Sequence, residues 1–389
     1  MSTENARRRA WWAHRQGLDG ALRGAGSAEV LARTGWARSV GGSAPYLGLF
    51  ARAGLRRETV DADVARLAIH ELPSARGCTY VLPAADFALG LAVGAGAPLG
   101  EIAAAEKHLG VTRAEIEELN AAVLDALERA AAPLDPAALK AETGPATRNL
   151  GEAGKKRGVS TTLPLSLGLL QARGEIRRVP VNGRLDQQRY GYVRWEPAPE
   201  PSTMDEELAR KYFSWAAPAS LKHFRWFSGR TVAAAKKAVE PLGLVPLDGT
   251  DLLLPQDLVA EFEAFRVPRE PNYALVAGID GIHLLHREMS RLLDAADVGR
   301  RAPGGKSTLG EEADPPCHLI LDRGRIAGLW EFDPDAGEIV YQSFAGDDEV
   351  LRQAVAETEE FIRADLGDAR SFSLDSPKSR APRLAALRA

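Results

Sequence analysis

The stretch from residue 135 to residue 195 constrains the fold more than any other part of the chain. Helical spacing over 135–143 and 160–172 gives way to two alternating runs, 176–181 and 189–195, around the turn signal Asn182-Gly183. Ser160 or Thr161 can cap the second helix and Gly174 can close it. A basic loop holding Lys155, Lys156 and Arg157 joins the two helices. Helix, basic loop, helix and two-stranded hairpin is the plan of a winged helix. The plan recurs at 205–215, 219–228 and 231–241, followed by a small wing of 245–247 and 252–254 around 248–250. Such repetition favours tandem winged-helix (helix-turn-helix) units over a parallel-sheet enzyme.

The flanks read less regularly. Helices are expected at 6–22, 29–40, 46–53 and 61–71, then a short strand at 77–82 and a new helix opened by Pro83. A long helix over 112–131 carries Ile116, Leu119, Val123, Leu124 and Leu127 on one face. Beyond residue 266 the pattern predicts a mostly helical 275–293, a mobile linker at 300–316 and strands at 318–321, 324–332 and 338–344. An acidic helix over 347–364 and a disordered tail after 371 follow. The fold class is α+β, with a small C-terminal antiparallel β domain and divisions at 1–132, 133–200, 201–266 and 267–389.

Charge is unevenly spread over the 389 residues, whose formal net charge is −4. Residues 135–195 hold eleven Lys/Arg against five Asp/Glu, whereas 310–368 hold sixteen acidic residues against four basic. The first stretch is either a basic face for a polyanion or simply a solvated surface. No apolar run reaches the ~18 uncharged residues of a membrane span, and the Arg-rich start lacks the apolar segment of a signal peptide. Two cysteines, Cys78 and Cys317, give neither a disulfide framework nor a metal site. His14, His70 and His223 lack metal-ligand spacing, and no phosphate loop or Asp/Glu/His cluster points to an ATPase or nuclease. A cytoplasmic, monomeric protein without metal or cofactor is expected.

Arg178 and Arg189 on the wing of the second unit, with Arg177 and Arg184, join Lys155, Lys156 and Arg157 as candidates for phosphate contact. Its second helix is leucine-rich, so few positions there can read bases, and a wing kept for protein contacts is the alternative. In the third unit, Lys222, His223, Trp226 and Arg230 lie across a helix-turn-helix. Trp226 either stacks on an unpaired base or packs in the core.

Several segments together resemble the AlkZ-like family of winged-helix DNA glycosylases. They are Ser43-Ala-Pro-Tyr-Leu-Gly-Leu-Phe-Ala-Arg52, Arg76-Gly-Cys-Thr-Tyr-Val-Leu-Pro-Ala-Ala-Asp86, and the segments 170–178, 216–229 and 324–330, in the family's order over most of the chain. The resemblance implies three winged helices around a DNA-sized concavity, a C-terminal β domain, and excision of a damaged base from double-stranded DNA. It also implies a Gln-x-Gln or Gln-x-Asp motif that positions the hydrolytic water shortly before the Pro-Tyr pair. The matching positions here hold Arg38, Ser39 and Val40, so another group must orient water, or the chain is a non-catalytic regulator or architectural protein. Asp86 is the first candidate, with helix capping as its alternative role, and Glu71 the second. Arg76 and Arg52 are expected to bind phosphate or polarise a base, and Ser39 and Ser43 to contact phosphate or base. Tyr80 and Trp226 would line the base pocket. No lysine stands out as a Schiff-base nucleophile, so a monofunctional glycosylase acting on a deaminated or alkylated base is expected.

Overall fold

A computed structural model describes residues 3–196, 199–200 and 205–389. The division expected at residue 201 therefore lies outside the described residues. Two-residue alternation is realised in four antiparallel sheets set among helices, as the α+β expectation required. β1 (Ala37–Arg38), β2 (Ile69–Pro73) and β3 (Thr79–Pro83) form a sheet with β3 in the middle. β4 (Ile176–Pro180) pairs with β5 (Tyr190–Arg194), and β6 (Leu244–Pro246) with β7 (Leu253–Pro255). The last sheet runs in chain order from β8 (Tyr273–Val276) through β9 (His318–Asp322) and β10 (Arg325–Asp333) to β11 (Glu338–Ser343).

The long helix Arg113–Arg129 starts at a capping box between Thr112 and Glu115 and turns Leu119, Val123 and Leu127 inward. Those residues pack on Leu139, Leu163, Leu167, Leu170 and Ile176. The helix thus belongs with the second unit, across the division expected at 132. Helices Pro136–Thr143 and Leu163–Ala172 and the β4–β5 hairpin complete that unit. Residues 84–109 are apolar and long enough to cross a membrane by composition. They are instead broken at a turn between the helices Phe87–Gly94 and Ala97–Leu109, whose Leu89, Leu91 and Ile102 are buried.

Five expectations fail for physical reasons. The helix expected over 29–40 ends at Thr34, because Gly35 takes a positive φ (100) and Ala37–Arg38 pair with β3 as β1. The helix expected over 61–71 stops at Ala65, because Leu67 takes a left-handed turn (φ 58) and residues 69–73 find their hydrogen bonds on β3. The apolar run 275–293 begins as the edge strand β8 and is then cut into single helical turns. Neither the 300–316 linker nor the tail is loose. Ala302 and Leu309 are buried in the largest core, and Pro377–Arg388 is a helix capped by Ser376. Arg383 of that helix binds Glu331 and Asp375, and the wholly buried Arg380 binds Asp368. The basic tail thereby neutralises part of the acidic stretch 310–368.

Candidate active site at the end of the three-stranded sheet

Register places the candidate residues on the two faces of one sheet end. Glu71 pairs with Val81 and Ala37 with Val81, while Arg38 pairs with Tyr80. Side chains alternate, so Ser39, Thr79 and Glu71 share one face, and Arg38 and Tyr80 the other. The Ser39 amide donates to the Thr79 carbonyl (3.0 Å), and its hydroxyl donates to Glu71 Oε1. Hairpin residues cover this face: Arg178 lies over the Tyr190 ring (4.8 Å) and donates to Thr79 Oγ1 (3.2 Å). Burial pushes the Glu71 carboxyl above the usual glutamate range, opposed by Arg178, Ser39 and Tyr190. Its Oε2 has no well-formed hydrogen bond among the described residues. The neighbouring His70 cannot serve as an acid, since burial, with Arg177 and Arg178, lowers it to about 3.

On the opposite face Arg38 lies over Tyr80 (5.4 Å) and donates to the Thr79 carbonyl (2.9 Å). Arg76 sits over Trp226 at 3.7 Å, and Arg287 approaches the same ring at 5.1 Å. Both arginines have left-handed backbones (φ 59 and 53), a conformation that costs a non-glycine residue energy and is kept where packing imposes it. Trp226 is only partly buried. An indole flanked by guanidinium groups offers an aromatic and cationic surface of the type that holds an unpaired base and its phosphate.

The loop between β1 and the helix Ala44–Ala53 is pressed by the C-terminal segment. Ser43 donates through its amide (2.9 Å) and its hydroxyl (3.1 Å) to the Arg370 carbonyl, and the Ser373 amide donates to the Val40 carbonyl (3.0 Å). A Cβ on Gly42 would stand 2.4 Å from the Ser371 carbonyl oxygen, so only glycine fits there. Ser43 is thereby buried and anchors the chain instead of meeting phosphate.

Other expected site residues are placed differently. Arg52 is buried and grips Asp280 with two hydrogen bonds (2.8 and 2.7 Å), so it is no phosphate ligand. His223 is buried, closing a capping box with Ser220 and meeting Glu288 (2.9 Å), and Arg230 is paired with Asp205 (2.7 Å). Lys155, Lys156, Arg157, Arg189 and Lys222 are exposed, Lys155 beside Glu152. Asp86 neither caps its helix nor reaches solvent. Its carboxylate accepts from Trp36 Nε1 (2.8 Å) and pairs with Lys211 (2.8 Å) beneath the aromatic core. The water-orienting role expected of it has no opening there. Glu71 is equally buried, but its cover is a hairpin, whose Tyr190 interacts with it only loosely. Sequence reasoning missed Lys211, Trp36, Asp280 and Arg287, which carry no motif and meet the site only through tertiary contact.

Asp86→Asn is therefore expected to lower stability by about 3 kcal/mol, the lower end for breaking a buried pair, because Lys211 keeps some solvent. Thermal melting reads this loss, while base release per folded molecule should be unchanged.

Small antiparallel sheets set among helices, with a buried carboxylate on one face of the first sheet and a cationic aromatic cluster on the other, define an α+β protein. Residues 6–371 match the family model described as DNA glycosylase AlkZ-like, and the chain belongs to that family. Among solved structures it is similar to Streptomyces sahachiroi DNA glycosylase AlkZ. The TM-score is 0.69 over 94% of this chain and 98% of that one, at 19% identity, a likeness of fold. None of the curated proteins matches the chain.

Proposed function

We propose that this chain is a monofunctional DNA glycosylase that flips a damaged, deaminated or alkylated base out of duplex DNA and hydrolyses its glycosidic bond. The reading rests chiefly on one observation: Glu71, a buried carboxylate of raised pKa, receives the hydroxyl of Ser39 beside the strand where the family's water-positioning motif would lie. In this account helices Pro136–Thr143 and Leu163–Ala172 with the β4–β5 hairpin form a winged helix, and the helices from Asp205 with β6–β7 form another. Lys155, Lys156, Arg157, Arg189 and Lys222 hold phosphates, the extruded nucleotide enters on the Glu71 face past Arg178 and Tyr190, and Arg38, Arg76 and Trp226 on the opposite face hold the strand beside it.

The chemistry assigned to Glu71 is that of a general base. Its carboxylate takes a proton from the water whose oxygen bonds to C1′ of the sugar, and it stabilises the oxocarbenium-like transition state. The base departs with the glycosidic electron pair and is protonated from solvent. Access to Glu71 requires the hairpin residues Arg178 and Tyr190 to move aside when DNA engages. Arg38, in place of a family glutamine, adds a positive charge on the face behind Glu71 and fits a changed, smaller lesion.

Duplexes carrying uracil, hypoxanthine or an alkylated purine, scored by alkaline cleavage at the resulting abasic site, test this reading. Release of at least one base is expected. Release of none, with tight binding to a single undamaged sequence, would instead give a winged-helix regulator, the reading that the Arg38-Ser39-Val40 replacement favours. Replacing Lys155, Lys156 and Arg157 together by alanine is expected to flatten the plot of log affinity against log salt by about 2–3. An unchanged slope would remove that loop from the phosphate contacts.

A further inference from the structure

A cavity of ≈ 380 Å³ opens between the helix Thr3–Arg15, Pro218 and the chain from 286 to 298. None of its lining belongs to the β1–β3–β2 sheet, so it is separate from the site around Glu71. One wall is aromatic: Trp12 stacks on His286 at 3.7 Å, and His286 on His223 at 4.5 Å. Leu252, Leu292 and Val298 make other walls apolar. The charged groups lining it are Arg8, Arg9 and Arg291, with no carboxylate among the described lining residues.

These cations differ in how far they are committed. Arg9 donates to the Leu292 carbonyl (3.3 Å) and to Asp294 (2.7 Å), and Arg291 to Glu288 (2.6 Å) and Asp251 (3.1 Å). Among the described residues Arg8 has only long contacts, to Glu4, at 3.4 Å to its carbonyl and 3.9 Å to its carboxylate. Burial holds His286 well below its ordinary range, so it stays neutral and adds no charge. Trp12 is 4% exposed, yet its Nε1–H has no acceptor among the described residues. Buried indole donors normally find one, so Trp12 keeps an unused donor while Arg8 keeps an underused cation.

We propose that this cavity binds a planar aromatic carboxylate, its ring between the leucines and the aromatic wall of Trp12 and its anionic group on Arg8. The volume lies within the ~300–1,000 Å³ of ligand sites, and an apolar chamber with few convergent polar groups is their usual make-up. The site is a second, small-molecule function of the chain, independent of base excision.

Calorimetric titration of the full chain with naphthoate and with uncharged naphthamide tests this. Naphthoate is expected to bind at one saturable site and naphthamide about tenfold more weakly or less. Arg8→Gln should erase that preference. Ala295→Trp, placed at an exposed lining position, should weaken naphthoate by at least about tenfold without changing the melting temperature. Saturating undamaged duplex should leave naphthoate binding intact. Equal affinity for the two probes, an Ala295→Trp variant that binds normally, displacement by duplex, or no saturable binding would each overturn the proposal.

Discussion

Replacing Glu71 by glutamine is expected to slow base release by about a hundredfold to ten-thousandfold, the span of a general base, while leaving the protein as stable as before or more so. Both halves follow from the same burial. The carboxylate sits 3% exposed under the β4–β5 hairpin, with Ser39 on one oxygen and no well-formed bond on the other. Ionising it there is costly, which is why its pKa is raised. A folded-state pKa above the unfolded one means the folded chain binds more protons between the two values. The stabilising contribution of this group is therefore complete below the unfolded pKa and is lost as pH rises through the folded one. Glutamine keeps the Ser39 hydrogen bond and removes that loss, so Glu71→Gln should gain on the wild type in melting temperature as pH rises. Melting curves and single-turnover excision, run on the same preparations, read the two effects. A variant that loses stability and excision in parallel would make Glu71 a structural residue.

Replacing Arg52 by methionine should cost about 3–5 kcal/mol, because it leaves a carboxylate buried without its cation. Arg52 and Asp280 are 4% and 6% exposed and share two hydrogen bonds, while Arg52 also donates to Gln16 (3.1 Å), whose own amide ties Thr34 and Trp215. Adding Asp280→Asn removes the orphaned charge yet keeps an oxygen for the Ile282 amide that Asp280 caps. The double variant should recover more than half of the loss, a coupling that a double-mutant cycle of denaturant midpoints measures. Additive losses would contradict the buried-pair account. Were Arg52 a phosphate ligand, as its position in the family-like segment suggests, the single variant would weaken duplex binding and leave stability alone.

These two residues also show what the sequence could and could not disclose. Period-two and helical spacing announced the hairpin after residue 176 and the helices around it, because local pattern and tertiary packing agree there. Pattern failed at 66–73, where a left-handed Leu67 and pairing to β3 override a helical run. It failed again in the tail, where Pro377 and Pro382 read as breakers, although Pro377 opens a helix that Arg380 and Arg383 pin to acidic partners. The cation of Arg52 finds Asp280 across 228 residues, a separation no spacing rule spans. Glu71 was visible only as a carboxylate near a proline. Its meeting with Ser39, 32 residues away, required the register of three strands. Asp86 drew attention through its family-like segment, but that segment is preserved in form around a buried brace to Trp36 and Lys211.

The most direct test of the central claim is the single-turnover rate of base release by the wild-type chain across pH, with each sample divided between alkaline and neutral work-up. If Glu71 acts as a carboxylate base, the rate rises with pH through an acid limb above the ordinary glutamate range. Strand breaks then appear only after alkali. No release from any lesion, a rate flat through that limb, or strand breaks without alkali would contradict the account.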